Sequence, residues 1–242
     1  MEKIKWGIIG PGNIANNFAD GLKGSYSGQL VSIASKSEDR RKNFGDKYDI
    51  HPDFRFDSYE DIINSEHIDA IYISTPHTLH AQWTIKAAGK GKHILCEKPG
   101  AVNFNEGKKI IDAVREAGVF YMEGFMYRCH PQIPKLVEII KNKIIGDVIS
   151  VETSFGFDMG KTIPDHRLFN KNLAGGGILD VGLYPISFSR LIVGVATGDK
   201  FSEPKFLDAE ATIGETGVDE IAHANLEFKK GIKAKVSTAI RD

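Results

Sequence analysis

The chain reads as an α/β protein in two parts. A Rossmann-like, doubly wound parallel sheet covers residues 1–124, and an α+β domain with an open, mainly antiparallel sheet covers 125–242. Three observations predict this. Apolar, β-branched runs alternate with helical patterns as far as Glu123, the grammar of a parallel sheet with helical crossovers. The first run breaks into Gly10-Pro11-Gly12-Asn13-Ile14-Ala15, a glycine turn between a strand and a helix. Past Gly124 the alternation stops, and a helix, a long alternating strand and three terminal strands follow.

Residues 4–9 form the first strand, and the helix after the glycine turn carries Ile14, Phe18 and Leu22 at helical spacing. Each small residue has a use if a dinucleotide binds there. Gly10 permits the tight turn, Gly12 lets backbone approach a pyrophosphate, and Ala15 allows close helix–strand packing, while the helix start at Asn13 and Ile14 faces negative charge. The second strand, 30–34, ends in Ser35-Lys36-Ser37-Glu38-Asp39-Arg40-Arg41, roughly 20 residues past the glycines, where an NAD site places an acid on the ribose. Ser35 and Lys36 suit a 2′-phosphate instead, with Arg40 or Arg41 as a second contact, so the cofactor read here is NADP, with NAD as the alternative. The same charges also fit the solvated first turn of a helix, its N-terminus favoured by Glu38 and Asp39.

A short helix over 59–63 and a strand over 68–74 lead to Thr75-Pro76-His77-Thr78-Leu79-His80 and a helix from about 77 to 90. The next strand closes in Lys92-His93-Ile94-Leu95-Cys96-Glu97-Lys98-Pro99, where Pro99 holds Lys98 extended at the strand's carboxyl end. A helix over 105–117 and a strand over 119–123 complete a sheet of about six strands. Ligands of parallel α/β sheets bind at the carboxyl ends of the strands, so Gly10, Gly12, Thr75, Pro76, His77, His80, Glu97 and Lys98 fall on the functional edge. Histidines so placed are more often structural than catalytic, and Glu97-Lys98 alone reads equally as a charged pair ending a strand.

In the second part, Phe125-Met126-Tyr127-Arg128-Cys129-His130-Pro131 leads into a helix over 132–142, and the alternating strand covers 148–157. Residues 158–171 are polar without clear period and run into Asn172-Leu173-Ala174-Gly175-Gly176-Gly177-Ile178-Leu179-Asp180-Val181-Gly182-Leu183-Tyr184-Pro185. A helix starting near Asp180 sets Asp180 and Tyr184 one above the other on one face and continues through Phe188, Leu191 and Ile192. Spacing alone favours a capping Asp and a core Tyr. Strands over 206–213, 220–228 and 232–240 end just before Asp242, which leaves an open edge in need of a partner, a cover or further chain.

A formal net charge of -1 gives no basic field for nucleic acid, and two cysteines make no disulfide framework. Cys96 and Cys129 read as free thiols in a reducing compartment, and without an apolar leader or a run near membrane-span length the expectation is a cytoplasmic protein without a metal site.

Together, Gly10-Pro11-Gly12-Asn13-Ile14-Ala15, Thr75-Pro76-His77, Glu97-Lys98-Pro99 and the segment from Gly175 to Tyr184 resemble the Gfo/Idh/MocA oxidoreductase family over almost the whole chain. Met126-Tyr127-Arg128, His130-Pro131 and tyrosine at 184 are most similar to its branch containing glucose-fructose oxidoreductase, NADP-dependent xylose dehydrogenase and dimeric dihydrodiol dehydrogenase. The resemblance implies hydride transfer between nicotinamide and a secondary alcohol or carbonyl of a sugar, polyol or cyclic diol. It also implies Lys98, Asp180 and Tyr184 as catalytic residues, and a homodimer or higher oligomer through the second sheet. Family members usually continue some tens of residues further, so the chain reads as truncated at its carboxyl end. A tyrosine, with a reference pKa of about 10, becomes a working base when a neighbouring ammonium favours its phenolate. That assigns proton exchange to Tyr184, polarisation of the substrate oxygen to Lys98, and orientation of the hydroxyl or the lysine to Asp180. The readings set against this are a dinucleotide-sensing binding module and an inactive partial gene product.

Overall fold

The computed structural model describes residues 2–241, so Asp242 lies outside it. The chain divides into two compact units, Met1–Gly124 and Phe125–Asp242.

In the first unit, strands β1 (Ile4–Ile9), β2 (Gly28–Ala34), β3 (Arg55–Phe56), β4 (Ala70–Ile73), β5 (His93–Cys96) and β6 (Tyr121–Glu123) form a parallel six-stranded sheet in the order β3-β2-β1-β4-β5-β6. The order reverses between β1 and β4, which opens the crevice where such sheets bind ligands. The apolar runs are continuous because both faces are buried. Ile8, Ile33 and Tyr72 face a core with Ala15 and Ala19 of α1 (Asn13–Lys23) and Phe44 of α2 (Glu38–Lys47). Their neighbours Ile9, Ala34, Ile71 and Ile73 face the opposite core, with Ile62 of α3 (Tyr59–Asn64), Trp83 of α4 (His80–Ala88) and Ile110 of α5 (Phe104–Ala117). The sequence pattern missed β3, a two-residue strand led by an arginine. It runs α4 from 77, whereas His77–Leu79 is a separate 3₁₀ turn.

In the second unit, α6 (Gln132–Lys141) and α7 (Leu183–Thr197) cover one face of a mixed sheet, made by β7 (Ser150–Gly156), β8 (Lys205–Ile213), β9 (Asp219–Glu227) and β10 (Lys233–Ala239) in the order β7-β10-β9-β8. Only β7 with β10 is parallel. The last strand is therefore interior, and the sheet's edges are β7 and β8 instead. One run does approach the length of a membrane span. The helical stretch Lys171–Thr197 holds an 18-residue window of mean hydropathy 1.5, long and apolar enough to cross a membrane by length and composition alone. Its apolarity has a local use: Leu191, Ile192, Val193 and Val195 are buried against β7, β9 and β10.

Candidate active site

The carboxyl edge of the first sheet is shaped to receive an anion. Gly10 has φ of +90°, and a Cβ there would lie 3.0 Å from the Ser74 carbonyl oxygen, so only glycine turns the chain this closely under the next strand. The Ser74 hydroxyl donates to the Gly10 carbonyl at 2.8 Å, joining the ends of β1 and β4. Gly12 caps α1 without a side-chain hydrogen bond, and a Cβ on it would meet nothing within 4 Å. The amides that start α1, at exposed Asn13 and Ile14, are thus left with open access, the arrangement that binds phosphate. Among the described residues the buried Thr75 hydroxyl has no hydrogen-bond partner, an orphaned polar atom on the same edge. These features fit a dinucleotide.

After β2, the Ser35 hydroxyl is buried and accepts from the Ser37 amide at 3.3 Å. Lys36 and Arg40 are exposed, with Lys36 Nζ 6.0 Å from the Tyr59 ring. Arg41 is turned inward, its Nη1 donating to the Ser35 carbonyl at 2.7 Å. It shapes the loop and leaves Lys36 and Arg40 as the outward cations.

Past β5, Glu97 is braced. Tyr72 donates its hydroxyl to Glu97 Oε1 at 2.6 Å, and the Lys98 amide donates to Oε2 at 3.3 Å. Burial, then the Glu97 charge, push the Tyr72 phenol far above its usual range, so it stays a donor. Lys98 and Pro99 are joined by a cis peptide. Pro76 is exposed and His77 partly so, its ring 5.8 Å from that of His80. The reading of His80 as a cofactor contact needs correction. It is 1% exposed, with one ring nitrogen on the Pro99 carbonyl and the other on the Thr75 carbonyl, so it acts from beneath this edge.

In the second unit, Tyr184 opens α7 inside an aromatic box. Phe155, Phe125 and Tyr127 meet its ring edge-on at 5.4, 5.7 and 6.0 Å, and its hydroxyl donates to Met126 Sδ at 3.3 Å. A cavity of about 520 Å³ lies against Tyr184, lined also by Met126, Tyr127, Thr153, Phe155 and Phe188. The Met126-Tyr127-Arg128 segment is pinned to α7, because Arg128 Nη2 donates to the Ser187 hydroxyl and Tyr127 shares a hydrogen bond with it, each at 2.9 Å.

Asp180 lies in a π-helical turn, Ile178–Gly182, just before α7. It is 3% exposed, and its Oδ1 accepts from Arg167 Nη1 at 2.8 Å. Sequence reading missed Arg167, which lies in the stretch without period. The neighbouring Leu168 and Phe169, both buried with Val181 and Ile240, were the signal available there. It also missed Asp219, whose Oδ2 accepts the Ile178 amide at 2.6 Å and so caps the turn from β9. Burial pushes the Asp219 carboxyl above its usual range. Gly176 has φ of +110°, and a Cβ on it would run into this carboxylate. Gly176→Ala is therefore expected to cost about 1–3 kcal/mol, read as a lower denaturant midpoint. Among the described residues no group of three or more His, Cys, Asp or Glu is placed to hold a metal ion.

An uncapped glycine turn on a Rossmann sheet, followed by an α+β unit with a tyrosine-walled cavity, defines a nicotinamide-dependent oxidoreductase of two-domain build. Comparison with known proteins agrees. The oxidoreductase family model with an NAD-binding Rossmann fold matches residues 4–125, and the GFO/IDH/MocA C-terminal domain model matches 133–241. The chain belongs to the Gfo/Idh/MocA oxidoreductase family, as an NAD(P)-dependent dehydrogenase or reductase. It is 33% identical over 239 residues to trans-1,2-dihydrobenzene-1,2-diol dehydrogenase of Mus musculus, spanning 98% of this chain and 68% of that one. It is also 33% identical to D-xylose 1-dehydrogenase (NADP(+)) 2 of Haloferax volcanii, over 98% and 69% of the two chains. A crystal structure of a 3-ketoreductase from Actinomadura kijaniata with NADP and TDP-benzene superposes with a TM-score of 0.88 at 27% identity, covering 100% of this chain and 71% of that one.

Proposed function

We propose that this protein moves a hydride between NADP and a secondary alcohol or carbonyl carbon of a sugar, polyol or cyclic diol. The observation that carries the reading is the Tyr184 phenol opening on a cavity of about 520 Å³ that Tyr127, Phe155 and Phe188 also line, room for a ring-sized substrate. Bound nicotinamide would supply hydride acceptance at its ring. The protein supplies the proton chemistry. Tyr184 takes the hydroxyl proton in oxidation and returns it in reduction, Lys98 donates a hydrogen bond to the same oxygen, and Asp180, held by Arg167, orients these groups. The glycine turn, the start of α1 at Asn13 and Ile14, and the edge formed by Thr75, Pro76, His77 and Glu97 hold the dinucleotide.

The test is steady-state reduction of NADP across aldoses, inositols and trans-dihydrodiols. Tight NADPH binding without turnover on the whole panel would favour a sensor and overturn the proposal. Selection of NADP over NAD rests on the outward cations Lys36 and Arg40 with the Ser35 hydroxyl. Lys36→Glu is expected to lower the NADP-to-NAD ratio of kcat/KM by about tenfold or more, because a charge-assisted contact becomes a repulsion. Two further parts of the reading are a cytoplasmic location, supported by Cys96 and Cys129 both being free, and self-association through the second sheet, supported by the exposed nine-residue edge strand β8. Sedimentation at two protein concentrations checks the latter.

A further inference from the structure

The two residues after Lys98 are gripped from beneath. His80, the first residue of α4, has Nδ1 2.7 Å from the Pro99 carbonyl oxygen and Nε2 2.7 Å from the Thr75 carbonyl oxygen. A carbonyl accepts, so the ring donates to this backbone from its N–H while the other nitrogen lies against the second carbonyl. Thr75 follows β4 and Pro99 follows β5, so one buried ring ties two neighbouring strand ends. Glu123, the last residue of β6, adds a second anchor: its Oε1 accepts the Gly100 amide at 2.7 Å. Burial pushes the Glu123 carboxyl above its usual range, while the Gly100 amide draws it back. The gripped backbone has no slack on this side, because a Cβ on Gly100 would run into the Tyr121 hydroxyl.

We propose that His80, which is buried, and Glu123, which is half-buried, are positioning residues that set where Lys98 stands, His80 through the Pro99 carbonyl and Glu123 through the Gly100 amide. The inference rests on the reading of Lys98 as a catalytic residue. Neither member of the pair needs to touch substrate, and His80 is closed off from solvent. Their effect is one of placement, where an error of an ångström in a reacting group is costly.

The test uses the full chain with His80→Gln, Glu123→Ala and Glu123→Gln, and Lys98→Met as reference. A glutamine at 80 can serve one carbonyl well, not two across a ring; a glutamine at 123 keeps an acceptor for the Gly100 amide and an alanine does not. His80→Gln and Glu123→Ala are each expected to lower kcat by about 10- to 100-fold while KM for substrate and NADP moves by less than about threefold, and Glu123→Gln to recover most of the loss. Unchanged kcat in folded His80→Gln and Glu123→Ala overturns the proposal, as does a Glu123→Gln variant as slow as Glu123→Ala. Should His80→Gln not fold, the Glu123 pair of variants decides. If Lys98→Met itself keeps normal turnover, the reading of Lys98 fails and takes this one with it; a Lys98-dependent enzyme indifferent to His80 and Glu123 sinks this one alone.

Discussion

Lys98→Met and Tyr184→Phe are each expected to lower kcat by about 10²–10⁴-fold, the usual worth of a positioned proton-transfer group, with NADP binding largely kept. Methionine keeps the length of the lysine stem and removes its charge and its donors. Phenylalanine at 184 preserves the ring that Phe125, Tyr127 and Phe155 meet edge-on, and gives up the hydroxyl and with it the contact with Met126 Sδ. Both variants should therefore fold, and a lost rate can be assigned to chemistry. Steady-state rates beside NADPH fluorescence titrations separate the two effects. A fall in kcat without a matching rise in KM marks groups that act in the transition state. Near-normal rates in both variants would remove Lys98 and Tyr184 from the mechanism.

What could be read from the sequence was what local pattern determines. Adjacent residues such as Ile8 and Ile9 face opposite cores, so the strands that hold the nucleotide edge appear as unbroken apolar runs, and the glycine turn and the proline after Lys98 punctuate them. The part that escaped depends on long-range partners. Asp180 was visible as a candidate, but nothing in the pattern says that Arg167 holds it, or that Asp219, 41 residues beyond Ile178, caps its turn. His80 was placed on the correct strand edge by its motif, yet whether a histidine there faces a ligand or lies under the backbone depends on the carbonyls of Thr75 and Pro99. The short strand β3 offers no pattern at all, since two residues cannot show a period.

The second large effect expected is on the carboxylate that the mechanism asks to orient its neighbours. Arg167→Met removes the guanidinium from Asp180 Oδ1 and leaves that buried oxygen without the positive charge beside it. Stripping one partner from a fully buried pair costs about 3–5 kcal/mol. The Arg167 side chain is 53% exposed, and water will compensate part of the loss, so about 2 kcal/mol of unfolding stability is the expected figure. The cost belongs to the pair. On an Asp180→Asn background, where no charge is stranded, Arg167→Met should cost less than half as much, and the difference in a double-mutant cycle is their coupling. Turnover should follow the same logic, because an Asp180 carboxylate freed from Arg167 keeps its chemistry and loses its aim. Denaturant midpoints and kcat measured on the same four proteins test both halves. A coupling near zero with unchanged kcat would mean that the Arg167 contact is incidental to where Asp180 stands.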